Sequence, residues 1–435
     1  MVQDYGGVLN ELVAGTWRTF SGEAVSIPIK NIVVKSTLDG AEGELVSPLH
    51  RGKKVCVVSD EITHSILGER IRRNISADCD VSEVVLSRPK ADHDMAKSLS
   101  GQTRHADALI AVGSGTVSDL VKYTTFTDGR EYSVFPTSPM NAYTTSTASI
   151  SFHGFKRSIS AHSAKGVFLD LGILSQCPLR LIKSAFADVI CRTTSEVDWT
   201  LSHLLFDSEF CHIPYELLAL DEAKMIARSP KLLERDMDTL GALTRICSIM
   251  GLGTTFTGTT HSGSMAEHMM SHYIDMFCPD HPGSFHGEQV GVTTLTVLAL
   301  QNRILRSRRP PVVSPTLFPN EVLQKKAGAE NTANFLVQTG RKALDAEGAE
   351  RLNEKLERDW AEIQARLLPV MLDAGELETQ MRRSETPCLA SEIGIAPDFY
   401  VEAVKYSRFI RDRFTVLDIA GDARLLDDYA EHCPR

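Results

Sequence analysis

Short apolar, β-branched runs alternate with helix-period stretches through the first part of this 435-residue chain, and that alternation constrains the fold more than any other feature. Lys53 to Asp60, built around Val55, Cys56, Val57 and Val58, reads as a buried strand, with residues 61–73 following as a helix. Val81 to Leu86 reads as a second strand, 92–103 as a second helix, and Ala106 to Val112 as a third strand. Strands joined by helices of this length make right-handed crossovers, and crossovers of one hand build a parallel sheet. Ligands of such sheets gather at the carboxyl ends of the strands.

From about residue 178 the pattern changes. Long amphipathic stretches at 184–206, 215–229, 232–252, 263–277 and 286–306 dominate, so the expectation is two domains: an α/β nucleotide-binding domain over 1–177 and an all-helical domain over 178–435. Arg308 to Pro315 holds Pro310, Pro311 and Pro315, which remove amide donors and disfavour helix in the residue before each, so it reads as a surface connector. Residues 346–368 read as a charged helix with a solvated face, and no internal repeat is visible.

A formal charge of −10 argues against a nucleic-acid or anionic-membrane partner, because both need a basic surface. No run of about 18 apolar residues occurs, so membrane insertion is not expected. The first residues lack a basic stretch followed by an apolar core, and the chain is read as cytoplasmic. Its nine cysteines show no CxxC spacing and mostly lie inside apolar runs, the pattern of small buried thiols.

Two segments carry chemistry. Gly113, Ser114, Gly115 and Thr116, then Asp119, follow a strand and open a helix, where backbone amides and the helix dipole favour a pyrophosphate. The same letters also fit a tight turn without a ligand, since Ser118 stands where a full GxGxxG would have glycine. Asp60, at the end of the first strand, is placed either to accept ribose hydroxyls or to cap the following helix.

The second segment is a histidine constellation. His268 and His272 are one helical turn apart, and His286 follows fourteen residues after His272 at the head of another helical run. Catalytic metal sites commonly take three His or carboxylate ligands and keep a position open. Asp188, in the apolar stretch Ser184 to Ile190, is the acidic candidate, because a carboxylate there needs a metal or a set of helix-end amides.

These segments, in order, resemble the sn-glycerol-1-phosphate dehydrogenase family of the dehydroquinate synthase-like and iron-containing alcohol dehydrogenase superfamily. The resemblance runs from about residue 53 to 420. It is carried by Gly113 to Tyr123, Phe135 to Tyr143, Gly154 to Lys156, Phe168 to Asp170, Ala187-Asp188 with Asp198-Trp199, Ala266 to His268, His286 to Glu288, and Ile410 to Asp418.

The resemblance implies an active site in a cleft between the two domains, NAD or NADP as cofactor, and one divalent metal, commonly zinc, with nickel or iron in relatives. By motif position Asp188, His268 and His286 match the metal ligands. Gly113, Ser114, Gly115, Thr116 and Asp119 match the pyrophosphate loop, and Thr137 and Ser138 the nicotinamide end. Lys156 and His272 match positions near the substrate. Asn141 stands where the family usually has an aspartate, which exchanges a carboxylate acceptor for an amide beside the metal and leaves the substrate open. A homodimer or larger homo-oligomer is also implied.

The expected reaction is hydride transfer between NAD(P)H and the keto carbon of dihydroxyacetone phosphate or an analogue, with a small phosphorylated polyol as product. Competing readings are a sugar-phosphate cyclase acting as a lyase, a related polyol dehydrogenase with another substrate, and a degenerate relative retained for binding.

Overall fold

A computed structural model describes residues 2–152, 155–279 and 282–433, without the side chains of Phe155 and Lys156. The chain forms two compact units that one cut cannot separate: Met1–Ala185 with His212–Thr259, and Phe186–Cys211 with Thr260–Arg435.

The first unit is built on strands β1 (Asn31–Lys35), β2 (Lys54–Asp60), β3 (Asp80–Leu86), β4 (Ala108–Gly113) and β5 (Glu131–Pro136). A hairpin, β6 (Thr147–Phe152) with β7 (Phe155–Ser160), precedes β8 (Gly166–Asp170). Six strands form one parallel sheet in the order β1-β8-β5-β4-β2-β3. Every residue of the central strand β4 is buried, which is why Ala108 to Val112 is a continuous apolar run. Edge strand β3 buries only Leu86, and its sequence is correspondingly mixed.

β2 has β3 on one side and β4 on the other, so the winding direction reverses there. Pairing of Val58 with Ala111 brings Asp60 and Gly113 together at the carboxyl ends of these strands. A crevice at such a reversal is where open α/β sheets bind ligands. The two strand ends are tied by Thr63 Oγ1, which donates to the Val112 carbonyl at 3.0 Å.

The second unit is helical, and no strand occurs among its described residues. Its Ala346–Leu367 helix is amphipathic: Leu352, Leu356, Trp360, Ile363 and Leu367 recur at three- and four-residue spacing and are all buried. The 308–315 connector is irregular, as its prolines require, yet Val313 is buried and its amide donates to Asn353 Oδ1 at 2.8 Å.

The expected helix over 184–206 is two helices, Leu179–Val189 and Arg192–Phe206, broken by a turn in which the Thr194 amide donates to the Cys191 carbonyl at 3.1 Å. Asp188 therefore lies in the last turn of a helix and not at the start of one. No helix among the described residues is long and apolar enough to cross a membrane.

Candidate metal and nucleotide sites

A carboxylate in the last turn of a helix meets the negative end of the macrodipole and no free amides. Asp188 stands at such a helix end. Two imidazoles converge on it. His268 lies in the first turn of the Ala266–Phe277 helix and His286 opens the His286–Leu305 helix. His268 Nε2 is 3.8 Å and His286 Nε2 3.9 Å from the same atom, Asp188 Oδ1. The three donor atoms lie within 4.8 Å of one another.

Donors about 2.1 Å from a tetrahedral ion are separated by about 3.4 Å, so the two histidine–aspartate distances exceed that spacing by only a few tenths of an ångström. Two nitrogens and one carboxylate oxygen are a donor set that zinc, nickel or iron accepts.

Each histidine is aimed from its far side. His268 Nδ1 is 3.0 Å from Glu267 Oε1, and Glu267 is fully buried. The carboxylate also accepts from the Met265 amide at 2.7 Å and from Thr194 Oγ1 at 3.0 Å. Burial pushes the Glu267 pKa up, but the bond and charge of His268 and the Met265 amide outweigh it and hold the group ionised, below its ordinary value. Nδ1 of His268 thus donates to Glu267, which turns Nε2 toward Asp188.

His286 is set by a relay. Ser271 Oγ donates to Gln289 Oε1 at 2.8 Å, which leaves its oxygen to accept from His286 Nδ1 at 3.1 Å. Gln289 is fixed in turn, because its Nε2 donates to Asp275 Oδ1 at 3.0 Å and Ser284 Oγ at 3.1 Å. Behind Glu267 sits Cys191, grouped with Glu267 and His268 within 4.8 Å, its thiol donating to the Gly263 carbonyl at 3.4 Å. His272 stands beside the trio, its ring centroid 6.2 Å from that of His268 and 5.6 Å from that of His286.

In the first unit, Gly113 ends β4 and the Gly115–Thr127 helix begins two residues later. Gly113 has φ +153°, and a Cβ there would lie 3.0 Å from Thr63 Oγ1 and 3.2 Å from Val117 Cγ2. A Cβ on Gly115 would lie 2.8 Å from Met140 Sδ, so the turn packs directly on the 137–143 segment. Ser114, at the N-cap, makes no side-chain bond to the helix, so its hydroxyl leaves the first-turn amides to another acceptor. Thr116 is partly exposed beside them.

Asp60 uses Oδ1 to cap, accepting from the Ile62 and Thr63 amides at 3.0 and 2.8 Å. Asp119 turns inward: Oδ1 is 3.4 Å from Lys122 Nζ and Oδ2 accepts from the Ser149 amide at 3.2 Å. Thr137 and Ser138 are buried at the end of β5, Ser138 Oγ lying 3.4 Å from Tyr143 Oη. Asn141 is partly exposed, and its carbonyl is approached so closely by the Met237–Thr257 helix that a Cβ on Gly251 would lie 2.2 Å from it. Lys156 lies in β7, and its side chain falls outside the described atoms.

Sequence reasoning missed Lys122. Its side chain is fully buried, and Nζ donates to the Ala142 carbonyl at 2.6 Å, Thr145 Oγ1 at 2.7 Å and the Thr147 carbonyl at 2.9 Å. The ammonium ties the helix behind the glycine turn to the 142–147 strand approach. Its sequence signal was a lysine three residues after Asp119 in a helix with no other basic residue. Glu267, Ser271 and Gln289 were missed as well, because a supporting hydrogen bond has no spacing rule.

The chain thus combines a parallel α/β sheet that has a glycine turn at its reversal point with a helical unit that carries an Asp-His-His cluster able to hold a metal ion. Residues 33–178 match the family described as iron-containing alcohol dehydrogenase. A glycerol-1-phosphate dehydrogenase (NAD(P)+) of Halalkalibacterium halodurans is 26% identical over 58% of this chain and 66% of its own length, just under two thirds. Its counterpart from Bacillus licheniformis is 23% identical over 86% of this chain and 84% of its own. Among solved structures, maleylacetate reductase from Agrobacterium tumefaciens superposes with a TM-score of 0.63 at 13% identity, covering 94% of this chain and 98% of that one, which shows the shared fold. The chain is thus similar to iron-containing alcohol dehydrogenases over residues 33–178 and to glycerol-1-phosphate dehydrogenases over a longer span.

Proposed function

We propose that this enzyme interconverts sn-glycerol 1-phosphate and dihydroxyacetone phosphate, or a close keto-phosphate analogue, at the expense of NAD(P)H. The observation that carries the reading is the convergence of His268 Nε2 and His286 Nε2 on Asp188 Oδ1, joined to relatives that bear that activity in their names.

Asp188, His268 and His286 would hold one divalent ion, zinc by donor preference. When bound, the ion supplies Lewis-acid polarisation of a carbonyl. NAD(P)H, when bound, would supply the hydride for the keto carbon, and the carbonyl oxygen that receives the π pair would need a proton. His272, beside the trio, is assigned to that proton, and Asn141 and Lys156 to substrate hydroxyl and phosphate groups. Gly113, Ser114, Gly115, Thr116 and Asp119 are assigned to the cofactor pyrophosphate, Thr137 and Ser138 to the nicotinamide, and Asp60, through the oxygen not spent on the cap, to a ribose hydroxyl.

The test is a screen of NADH and NADPH oxidation with metal-reconstituted protein against dihydroxyacetone phosphate, dihydroxyacetone, glyceraldehyde 3-phosphate and longer keto-phosphates. Oxidation with dihydroxyacetone phosphate that chelator abolishes and zinc restores is the expected result. Chelator-resistant turnover, or release of inorganic phosphate with no net change in NAD(P)H, overturns it.

A further inference from the structure

Asp198 is fully buried on the Arg192–Phe206 helix, inside the unit that carries the metal trio. Its Oδ1 accepts from Gln301 Nε2 and from the Val416 amide, each at 3.0 Å. Its other oxygen, Oδ2, is buried without a hydrogen-bond partner. Gln301 is fully buried too, and its Nε2 also donates to the Thr194 carbonyl at 3.0 Å. Because a carbonyl only accepts, that bond fixes which end of the amide is nitrogen. Gln301 Oε1 is then left without a donor. Two side chains already joined by one hydrogen bond thus each hold one orphaned acceptor.

A buried carboxylate with a bare oxygen is costly, and more so with a second ionised carboxylate near it. That second group is Glu267. Burial first, then the Glu267 charge, push the Asp198 pKa up to about 8, against the pull of the Val416 amide, Gln301 and the Ala266 amide. Neighbouring charges pair among themselves: Arg192 with Glu196 at 2.8 Å, Lys355 with Asp207 at 3.5 Å and Lys342 with Asp418 at 2.9 Å. His261, in the turn before the His268 helix, is held neutral by burial and then Arg413.

We infer that Asp198 is a neutral carboxylic acid at neutral pH, its Oδ2 proton shared with Gln301 Oε1, and that this acid–amide pair is a positioning element of the metal site. One proton answers both orphaned oxygens, since Oδ2 donates to Gln301 Oε1 while Gln301 Nε2 donates to Oδ1. The pair joins the helices that aim the histidines. Thr194, on the Asp198 helix, donates from Oγ1 to Glu267 Oε2 at 3.0 Å, and Glu267 holds His268. Gln301 lies on the helix that His286 opens. The inference rests on the metal trio and not on the identity of the substrate.

The test uses the zinc-loaded protein and the variants Asp198→Asn and Asp198→Ala, with zinc affinity read by competition against a chromophoric chelator. Asparagine reproduces the protonated acid, with an oxygen that accepts and a nitrogen that donates. Asp198→Asn is expected to keep zinc affinity within about threefold of wild type, while Asp198→Ala loses roughly 10- to 100-fold, the usual weight of an outer partner. The infrared difference between wild type and Asp198→Asn at neutral pH should contain the carbonyl stretch of a protonated carboxyl. Raising the wild type above pH 8 should replace it with carboxylate bands and weaken zinc binding, a change that Asp198→Asn does not show. An asparagine variant as weak as the alanine one, or a carboxylate signature at neutral pH, overturns the neutral acid. Equal zinc affinity in all three proteins overturns the positioning role. Should Asp198→Ala fail to fold, Asp198→Asn and the infrared band still decide. A wild type that shows the band and binds no zinc overturns the metal reading, and the positioning role with it, while the proton on Asp198 stands.

Discussion

Glu267 and His268 are neighbours in sequence and hydrogen-bond partners in space, Oε1 to Nδ1 at 3.0 Å. Adjacent helical residues ordinarily point about 100° apart. Here the pair forms at the first turn, and the Met265 amide and Thr194 hydroxyl hold the carboxylate in place. Replacing it with an amide keeps the volume and removes the charge that fixes the tautomer. Glu267→Gln is expected to weaken zinc binding roughly 10- to 100-fold, the usual weight of such outer partners. Competition against a chromophoric chelator measures it, and an unchanged affinity with intact circular dichroism would sink the assignment.

Gly115 faces Met140. A methyl group there would stand 2.8 Å from Sδ and push the 137–143 segment off the glycine turn. Overpacking of this kind costs about 1–3 kcal/mol. Gly115→Ala should raise the KM for NAD(P)H more than that for the ketone, and fluorescence titration with NADH should show the same loss without turnover. Equal affinity would remove the turn from the cofactor site.

Lys122 donates three hydrogen bonds from a fully buried ammonium, and Asp119 lies 3.4 Å away. Burial lowers its pKa, and the Asp119 charge opposes that. Lys122→Met takes the ammonium away from two carbonyls and from the buried Asp119 carboxylate, and breaking buried pairs of this type costs about 3–5 kcal/mol. Urea unfolding should register a loss of that size. A loss under about 1 kcal/mol, the scale of a surface pair, would mean that the lysine is replaceable filler.

His50 is fully buried, with Nε2 2.8 Å from Ser133 Oγ. Burial, then the Lys53 charge, lower its pKa from 6.5 to about 4. Between those values the unfolded chain binds the proton and the native chain does not. Stability from this group is therefore full above pH 6.5 and lost as pH falls toward 4, by up to about 3 kcal/mol. His50→Gln should flatten that slope in denaturation curves taken between pH 7 and 4.5; an identical slope would assign the acid sensitivity to other groups.

The strands around the glycine turn were legible because β2 and β4 are buried on both faces, which writes Val55 to Val58 and Ala108 to Val112 as unbroken apolar runs. β1 and β8 went unread: each spans 5 residues, too short to stand apart from a helix segment by period. The break at Ile190-Cys191 was invisible for another reason. It contains neither proline nor glycine, and tertiary packing makes the turn, so Asp188 was placed at the wrong end of its helix. The Asp188, His268 and His286 positions were nevertheless recoverable from spacing and motif order, and the structure brings their donor atoms together. What aims them, through Glu267 and Ser271, depends on side chains meeting across helices.

Gly251 gives residue 141 an unusual independence. The Asn141 carbonyl seats against a helix that has no side chain at that point, and Thr144 Oγ1 donates to the Ser248 carbonyl at 2.7 Å, so the main chain here is anchored through backbone and Thr144 contacts. If position 141 meets the substrate, as proposed, an amide-to-carboxylate exchange there would change the group offered without moving the backbone that carries it.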